Sequence, residues 1–200
     1  MDIKALSGII AGILGIICYI PYLKDIFKSN TKPHIYSWLV WSILQTTGVI
    51  AMIAGGASYG ALGLGIGSLF CIFIFFLSFK YGTKDITALD TICLIGSLLA
   101  ILVWISQKNP LISVILITII DFVGFIPTYR KSYRNPYSET ISLYLLVVAS
   151  NIFGVIAIAH YNIISTLYIG SLLVTNLVCA LILFIGRRQE KQNLIPNPSR

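Results

Sequence analysis

The chain has 200 residues, of which 57% are hydrophobic and only 10% charged, with a mean hydropathy of +0.90. Soluble domains carry about 25% charged residues, so a water-facing surface cannot be assembled from this composition, and no stretch is left for a separate soluble domain. The net charge of +7 lies in short loops between apolar runs, which points to anionic lipid head groups rather than nucleic acid.

Apolar runs of roughly 17–25 residues, the length that crosses hydrocarbon, recur along the chain and predict an all-α membrane protein of seven spans. The first, Ala5–Leu23, contains Pro21 near its end and carries no small-residue cleavage site, so no signal peptide is expected. The second and third, Ile35–Ala54 and Tyr59–Phe79, are joined by the tight connector Gly55–Gly56–Ala57–Ser58 and form a hairpin. The fourth, Leu89–Ser106, opens on Asp90 and Thr91 and is the weakest of the set. The fifth, Pro110–Tyr129, contains Pro127. The sixth and seventh, Thr140–Ala159 and Ile163–Gly186, form a second hairpin through His160–Tyr161–Asn162. The tail Gln189–Arg200, with Asn193, Pro196 and Pro198, is expected to be disordered.

Basic residues segregate by loop. Lys24, Lys28, Lys32, Lys80, Lys84, Arg130, Lys131, Arg134, Arg187, Arg188, Lys191 and Arg200 all fall on one side of the predicted spans, against Lys4 and Lys108 on the other. Basic loops stay cytoplasmic, which predicts an external amino terminus and a cytoplasmic carboxyl terminus.

The chain repeats itself. Tyr19–Ile20–Pro21 returns as Phe125–Ile126–Pro127, and Gly48–Val49–Ile50–Ala51 as Gly154–Val155–Ile156–Ala157, at a single offset. In the same register Lys24, Phe27 and Lys28 meet Arg130, Tyr133 and Arg134. Trp38 meets Tyr144, Leu39 meets Leu145, and Gln45 meets Asn151. Repetition at this length marks duplication. Both prolines close outside-to-inside spans, so the halves stand parallel, and three-span units can do so only if one span returns the chain between them. The predicted organisation is 3+1+3: residues 1–80 as the first repeat, 81–108 as the inverting linker helix, 109–188 as the second repeat and 189–200 as the tail.

A parallel 3+1+3 duplication with proline near the inner end of spans one and five resembles the SWEET and SemiSWEET sugar transporters. These belong with the PQ-loop proteins, which include lysosomal amino-acid exporters. In place of the Pro-Gln dipeptide that names the latter, this chain has Pro21–Tyr22 and Pro127–Thr128. The resemblance implies a pocket asparagine in spans three and seven. Asn176 fits span seven, whereas aligning Ile66–Gly67–Ser68–Leu69 with Ile169–Gly170–Ser171–Leu172 puts Phe73 at the span-three place. Lys32–Pro33–His34 with Trp38 and Trp41, and Pro127–Thr128–Tyr129–Arg130–Lys131–Ser132, are similar to small bacterial membrane proteins of unassigned function, a resemblance that implies a bacterial inner membrane.

Polar groups deep in a span are costly and usually face the bundle interior. At about 1.5 Å per helical residue, Asp121 lies roughly 16 Å into its span. By the same measure Gln45 and Asn151 lie about 15 Å from the inner ends of theirs, and Asn176 about 20 Å from its outer end. All four converge on the midplane of a core about 30 Å thick. Gln45, Asn151 and Asn176 are the candidate ligands for a neutral polar solute, since amides both donate and accept. The competing account is hydrogen bonding between helices without a ligand. Asp121 has no lysine or arginine at its depth and replaces Gly15 of the first half. Desolvation favours the uncharged acid, so it reads either as a proton-coupling group or as a protonated side chain that ties helices together.

Pro21 and Pro127 remove a backbone donor and read as paired hinges or as span terminators. Pro33 and Pro136 precede helices, where proline is tolerated. Trp38, Trp41 and Trp104 fit interfacial belts, with Trp41 also a candidate to stack on the solute. Gly60, Gly63, Gly65 and Gly67 predict close helix approach in span three, without a phosphate-binding signature after them. Cys18, Cys71, Cys93 and Cys179 lack ligand spacing and read as small hydrophobes. His34 and His160 lie at opposite faces and cannot share a metal.

No nucleophile–base pair, carboxylate dyad or metal cluster points to an enzyme, and no cofactor is expected. The functional reading is a transporter of a small polar solute such as a sugar, amino acid or vitamin, working by alternating access, with proton coupling through Asp121. The alternative is a non-transporting receptor or scaffold, an architecture shared by the ER-retention receptor. The expected partners are the solute and membrane lipid. A homo-oligomer is allowed, although two complete halves in one chain reduce the need for one.

Overall fold

The computed structural model describes residues 2–33, 35–82, 87–107, 109–137 and 139–193. All regular structure among them is helical: α1 (Ile3–Ile17), α2 (Tyr19–Phe27), α3 (Ile35–Ala54), a 3-10 turn (Ser58–Ala61), α4 (Leu62–Tyr81), α5 (Ala88–Gln107), α6 (Pro110–Arg134), α7 (Ile141–Ile156) and α8 (Ile163–Asn193). Five stretches are long and apolar enough to cross a membrane: Ile3–Phe27, Ile35–Ala54, Ser58–Tyr81, Pro110–Arg134 and Ile163–Lys191. The molecule is thus compatible with an integral membrane protein.

Two further rods complete the bundle, and the second is shorter than the expected span. Helix α5 has 20 residues. Helix α7 has 16 residues, about 24 Å at the helical rise, and stops short of the expected Ala159. Its end is capped at Ala157, whose N–H bonds Phe153, and Ala157 and Ile158 are then fully buried in the connector. The carboxyl end departs in the other direction. Helix α8 continues through Gln189–Asn193, so these residues are ordered where a disordered tail was expected. Gln, Glu and Lys are good helix formers and extend the last turns beyond Gly186. Residues 194–200 lie outside the described residues.

The surface is inverted relative to a soluble protein. Ile9, Ile13, Ile16 and Ile20 on the first rod, Leu69, Phe73, Phe76 and Phe79 on α4, and Ile112, Ile115, Ile119, Phe122 and Ile126 on α6 are exposed. Ser42, Thr47, Ser68, Thr118, Asp121, Ser150, Asn151, Thr175 and Asn176 are buried. Contiguous apolar exposure on this scale suits an apolar environment, and most of the buried hydroxyls are satisfied within their own helix. Ser42 Oγ, for example, donates to the Trp38 carbonyl at 2.6 Å, and Thr118 Oγ1 to that of Val114 at 2.7 Å.

The first rod breaks at Cys18, between α1 and α2. The Cys18 N–H still reaches Leu14 O at 2.9 Å, but Pro21 has no donor to offer the Ile17 carbonyl four residues earlier, and the helix restarts at Tyr19. Helix α6 runs unbroken through position 127. The side chain of Pro127 lies outside the described residues, as do His34, Lys84 and Lys108 and the side chains of Asp90, Cys93, Trp104 and Lys131.

Two of the helices each bridge a pair of others. Helix α4 packs on both α1 and α3, and α8 packs on both α6 and α7. Across the centre α1 packs on α7 as α3 packs on α6, while α5 leans on α6 and α3. Small residues permit the tightest crossing. A Cβ on Gly63 would stand 2.9 Å from Ser150 Oγ and 3.1 Å from Ala11 Cβ, and that same hydroxyl donates to the Ala11 carbonyl at 2.8 Å. Gly60 and Gly67 are similarly crowded, by Ile158 and Gln45, but Gly65 faces open space, so close approach accounts for three of the four span-three glycines.

At one end the two hairpin connectors are stitched together. Ala159 N–H donates to Ala57 O at 3.2 Å, His160 N–H to Gly56 O at 3.3 Å and Asn162 Nδ2 to Gly55 O at 2.7 Å. Gly56 adopts φ +81°, which glycine alone takes without strain. Lys4 Nζ adds a bond to Ala159 O at 2.9 Å. Asn162 also caps α8 reciprocally: its Oδ1 accepts from Ser165 N–H at 3.0 Å, and Ser165 Oγ accepts from Asn162 N–H at 3.1 Å. Asn162→Ala removes the cap and the cross-hairpin bond, and is expected to cost about 1–2 kcal/mol, measured as lost thermal stability in detergent. Stability equal to wild type would show that the stitch carries no weight.

Candidate functional site

A cavity of about 470 Å³ lies between the halves. Its wall starts mid-bundle at Gly63, Ser150 and Asp121 and reaches connector residues Thr31, Lys32, Thr87 and Glu139 at one end. Among the described residues, the stitched hairpins at the opposite end contribute nothing to it. The cavity is therefore closed on that side and leads toward the end of the bundle that carries the basic loops.

Many of the lining residues fall in pairs at one sequence offset. Gly15 and Asp121, Tyr19 and Phe125, Tyr22 and Thr128, Trp38 and Tyr144, Trp41 and Val147, and Gln45 and Asn151 all face this one volume, and each pair stands at the offset that relates the repeated sequence segments. Intervening Ile20 and Ile126 are both exposed. Helical periodicity carries the inward face of each half to the same volume from opposite sides.

Every residue proposed to bind solute or carry a proton lines the cavity: Gln45, Trp41, Asn151, Asn176 and Asp121. Pro21 does not; it stands beside the α1–α2 break, half-buried. Phe73, aligned above with Asn176, is 47% exposed and outside the cavity. Two residues earlier on α4, Cys71 is buried and lines it. A two-residue difference in register turns a helical side chain through about 200°, enough to exchange a core position for a surface one.

The polar groups differ in what they have left to offer. Gln45 hydrogen-bonds the Tyr19 hydroxyl, which also contacts Cys71 Sγ at 3.7 Å. Asn176 Nδ2 donates to the Leu172 carbonyl at 2.7 Å. Asn151 Nδ2 has no partner among the described residues, and neither oxygen of Asp121 has one. Asp121 is 0% exposed; it belongs to the cavity wall while its oxygens stay sealed from the surface. Unpaired polar atoms at full burial are rare in native proteins. The interhelical-tie account of Asp121 requires a hydrogen bond, and among the described residues it has none.

Aromatic rings occupy the level between these groups and the mouth. The Trp41 and Phe125 centroids are 5.9 Å apart at 42°, and Trp38 stands edge-on to Trp41 at 5.3 Å and 85°. Tyr22 stacks obliquely on Trp38 at 5.2 Å. Near the mouth Tyr144 donates to Glu139 Oε2 at 3.0 Å, and Arg187 holds Glu139 O through Nη2 at 2.7 Å and Pro136 O through Nε at 3.0 Å. Thr140 Oγ1 donates to Asp25 Oδ2 at 3.1 Å and ties the halves at this end.

Sequence reading missed Tyr19, Phe125 and Cys71 as lining residues. The signal for the first two was present, because they head the repeated triplets, but it served only to set register. Cys71 carries no such mark. Among the described residues no three His, Cys, Asp or Glu side chains cluster as metal ligands. Comparison of the chain with protein-family models, with curated proteins and with solved structures returns no match in any of the three.

Proposed function

We propose that this chain is a multi-pass membrane transporter of a small polar solute, that it works by alternating access between two parallel three-helix repeats, and that it couples transport to protons through Asp121. The single observation behind this reading is that residues matched by the internal repeat line one cavity from both sides. Sites between membrane repeats are the usual place for transported solutes. A volume of about 470 Å³ also lies within the roughly 300–1,000 Å³ of small-molecule sites. A receptor or scaffold could fill its centre with side chains, and the open centre favours transport over that alternative.

With the basic loops cytoplasmic, the cavity opens inward and the stitched hairpins form the outer gate. Reversal then requires the hairpins to part and the inner ends of α2 and α6 to swing in. The α1–α2 break beside Pro21 gives the first half its hinge, and Pro127 is the corresponding position in the second. Asp121 carries a proton because a lone carboxyl group in a dry wall is neutral when protonated and costly when bare.

The test has two arms. Reporter tags on the two termini should report opposite faces, and both termini on one face would remove the 3+1+3 arrangement. In proteoliposomes, uptake from a panel of sugars, amines, amino acids and vitamins should appear for at least one class and respond to an imposed pH gradient. Absence of uptake for every class would overturn the transporter.

A further inference from the structure

We infer that the cavity takes an organic monocation, an amine or quaternary ammonium carrying one hydrogen-bond acceptor, with Asp121 as its counter-charge and Trp41 with Phe125 as its aromatic wall. This rests on reading the cavity as a solute site and narrows what the site accepts. Three independent features of the wall point the same way.

Charge comes first. Among the described residues the only formal charge the wall can supply at mid-bundle depth is that of Asp121, and no lysine or arginine of the lining stands there. Lys32 and Glu139, of opposite sign, are at the mouth. A bound anion would face an acid in the wall with no cation to offset it. A zwitterion would satisfy one end and leave the other without a partner.

Shape and ring chemistry come second. Phe125 lies four residues from Asp121 on α6, and Trp41 lies four residues from Gln45 on α3, so each ring is one turn from a deeper polar group on its own helix. Both are displaced toward the mouth, which places an aromatic layer directly over the acid. Tryptophan is the best of the rings for holding a cation against its face. The pairing of such a face with a carboxylate suits an alkylammonium, whose charge is spread over apolar carbon.

Hydrogen-bonding capacity comes third. Asn176 Nδ2 gives one of its two hydrogens to Leu172 O, whereas Asn151 Nδ2 has no partner among the described residues. That free amide donor suits an acceptor on the ligand.

A proton on Asp121 removes the counter-charge, so cation and proton compete for one site. Cys71 on α4, Tyr129 on α6 and Tyr168 on α8 are the titratable groups that feel its charge. Helix α3 contributes no charged side chain, and α5 no described one. None of these neighbours is a cation that would fix the carboxyl group in its charged form, and exchange of one positive charge for another keeps the dry site neutral throughout.

The experiment uses the full-length protein in detergent, with tryptophan fluorescence and thermal stability read against choline, its uncharged carbon isostere dimethylbutanol, and glucose. Choline should saturate a fluorescence change and weaken as pH falls, while dimethylbutanol and glucose do neither. Asp121→Asn should weaken choline about tenfold or more, Trp41→Leu should weaken it comparably, and Trp41→Phe should restore part of the loss. If Asp121→Asn fails to fold, the tryptophan pair carries the test alone. Equal response to choline and its isostere, or choline binding indifferent to both positions, overturns the assignment. Glucose binding without choline binding also overturns it and leaves the transporter reading intact. Choline binding without uptake in proteoliposomes removes the transporter reading and leaves the cation site standing. Silence from every probe overturns the assignment.

Discussion

Asp121→Leu is expected to make the protein more stable and to abolish pH-dependent uptake, with Asp121→Asn showing the same loss of pH dependence. The stability half follows from what the carboxyl group lacks. Both oxygens are buried without a hydrogen-bond partner among the described residues, and an unsatisfied buried polar group costs about 1–3 kcal/mol. Leucine has the same γ-branched shape and no polar atoms, and the adjoining cavity has room for its larger methyl groups, so most of that cost is recovered, as when buried charges are replaced by apolar residues elsewhere. The functional half follows from position: among the described residues Asp121 is the sole acid in the cavity wall at mid-bundle depth. A residue kept at a cost to stability in the centre of a cavity is the pattern of a working group. Thermal unfolding in detergent and uptake in proteoliposomes at two external pH values read the two halves separately. A marked loss of stability in Asp121→Leu would restore the interhelical tie, and uptake with unchanged pH response in Asp121→Asn would remove the proton.

The convergence of Gln45, Asn151, Asn176 and Asp121 was legible because depth in an apolar span is a matter of counting, and polar side chains at depth have one favourable direction. The break before Pro21 was legible for a similar reason, since a missing donor acts on a fixed carbonyl four residues back. Rotational detail was not legible. Phe73 and Cys71 are two residues apart in a helix apolar on every side, so nothing in local sequence distinguishes the inward one. The stitched hairpins were also hidden. His160–Tyr161–Asn162 reads as a short turn, but its partner, Gly55–Gly56–Ala57, is more than 100 residues away, and pairing of two turns is a tertiary event. The extension of α8 over Gln189–Asn193 was obscured by a polar composition that suits a solvated helix as well as a disordered tail.

Gly48→Ala is expected to be the more damaging of two substitutions that the sequence repeat makes equivalent, the other being Gly154→Ala. In a helix interior either change should gain up to about 1 kcal/mol in propensity, so any loss is a matter of packing. A Cβ on Gly48 would overlap the Tyr168 ring, and Tyr168 is fully buried with its hydroxyl unpartnered. A planar ring held on all sides cannot yield by rotating one bond, so α3 and α8 must separate. Overpacking of this kind typically costs about 1–3 kcal/mol and occasionally more, and here it exceeds the gain. A Cβ on Gly154 would meet the Cδ1 of Ile169 at 2.7 Å, the far end of a side chain with another rotamer available, and should come out near neutral. Gly65→Ala, with nothing within 4 Å of the added carbon, is the control and should equal or exceed wild type in stability. Displacement of α8 also carries Leu172 and Asn176, one and two turns beyond Tyr168, away from the cavity they line, so solute binding should weaken along with stability. Tyr168→Leu combined with Gly48→Ala should recover the stability lost by the single glycine change, because it removes the ring that the methyl group displaces. Thermal unfolding of the four variants in one detergent decides the matter. Equal losses at Gly48 and Gly154, or no rescue by Tyr168→Leu, would mean that the ring does not fix the spacing of α3 and α8.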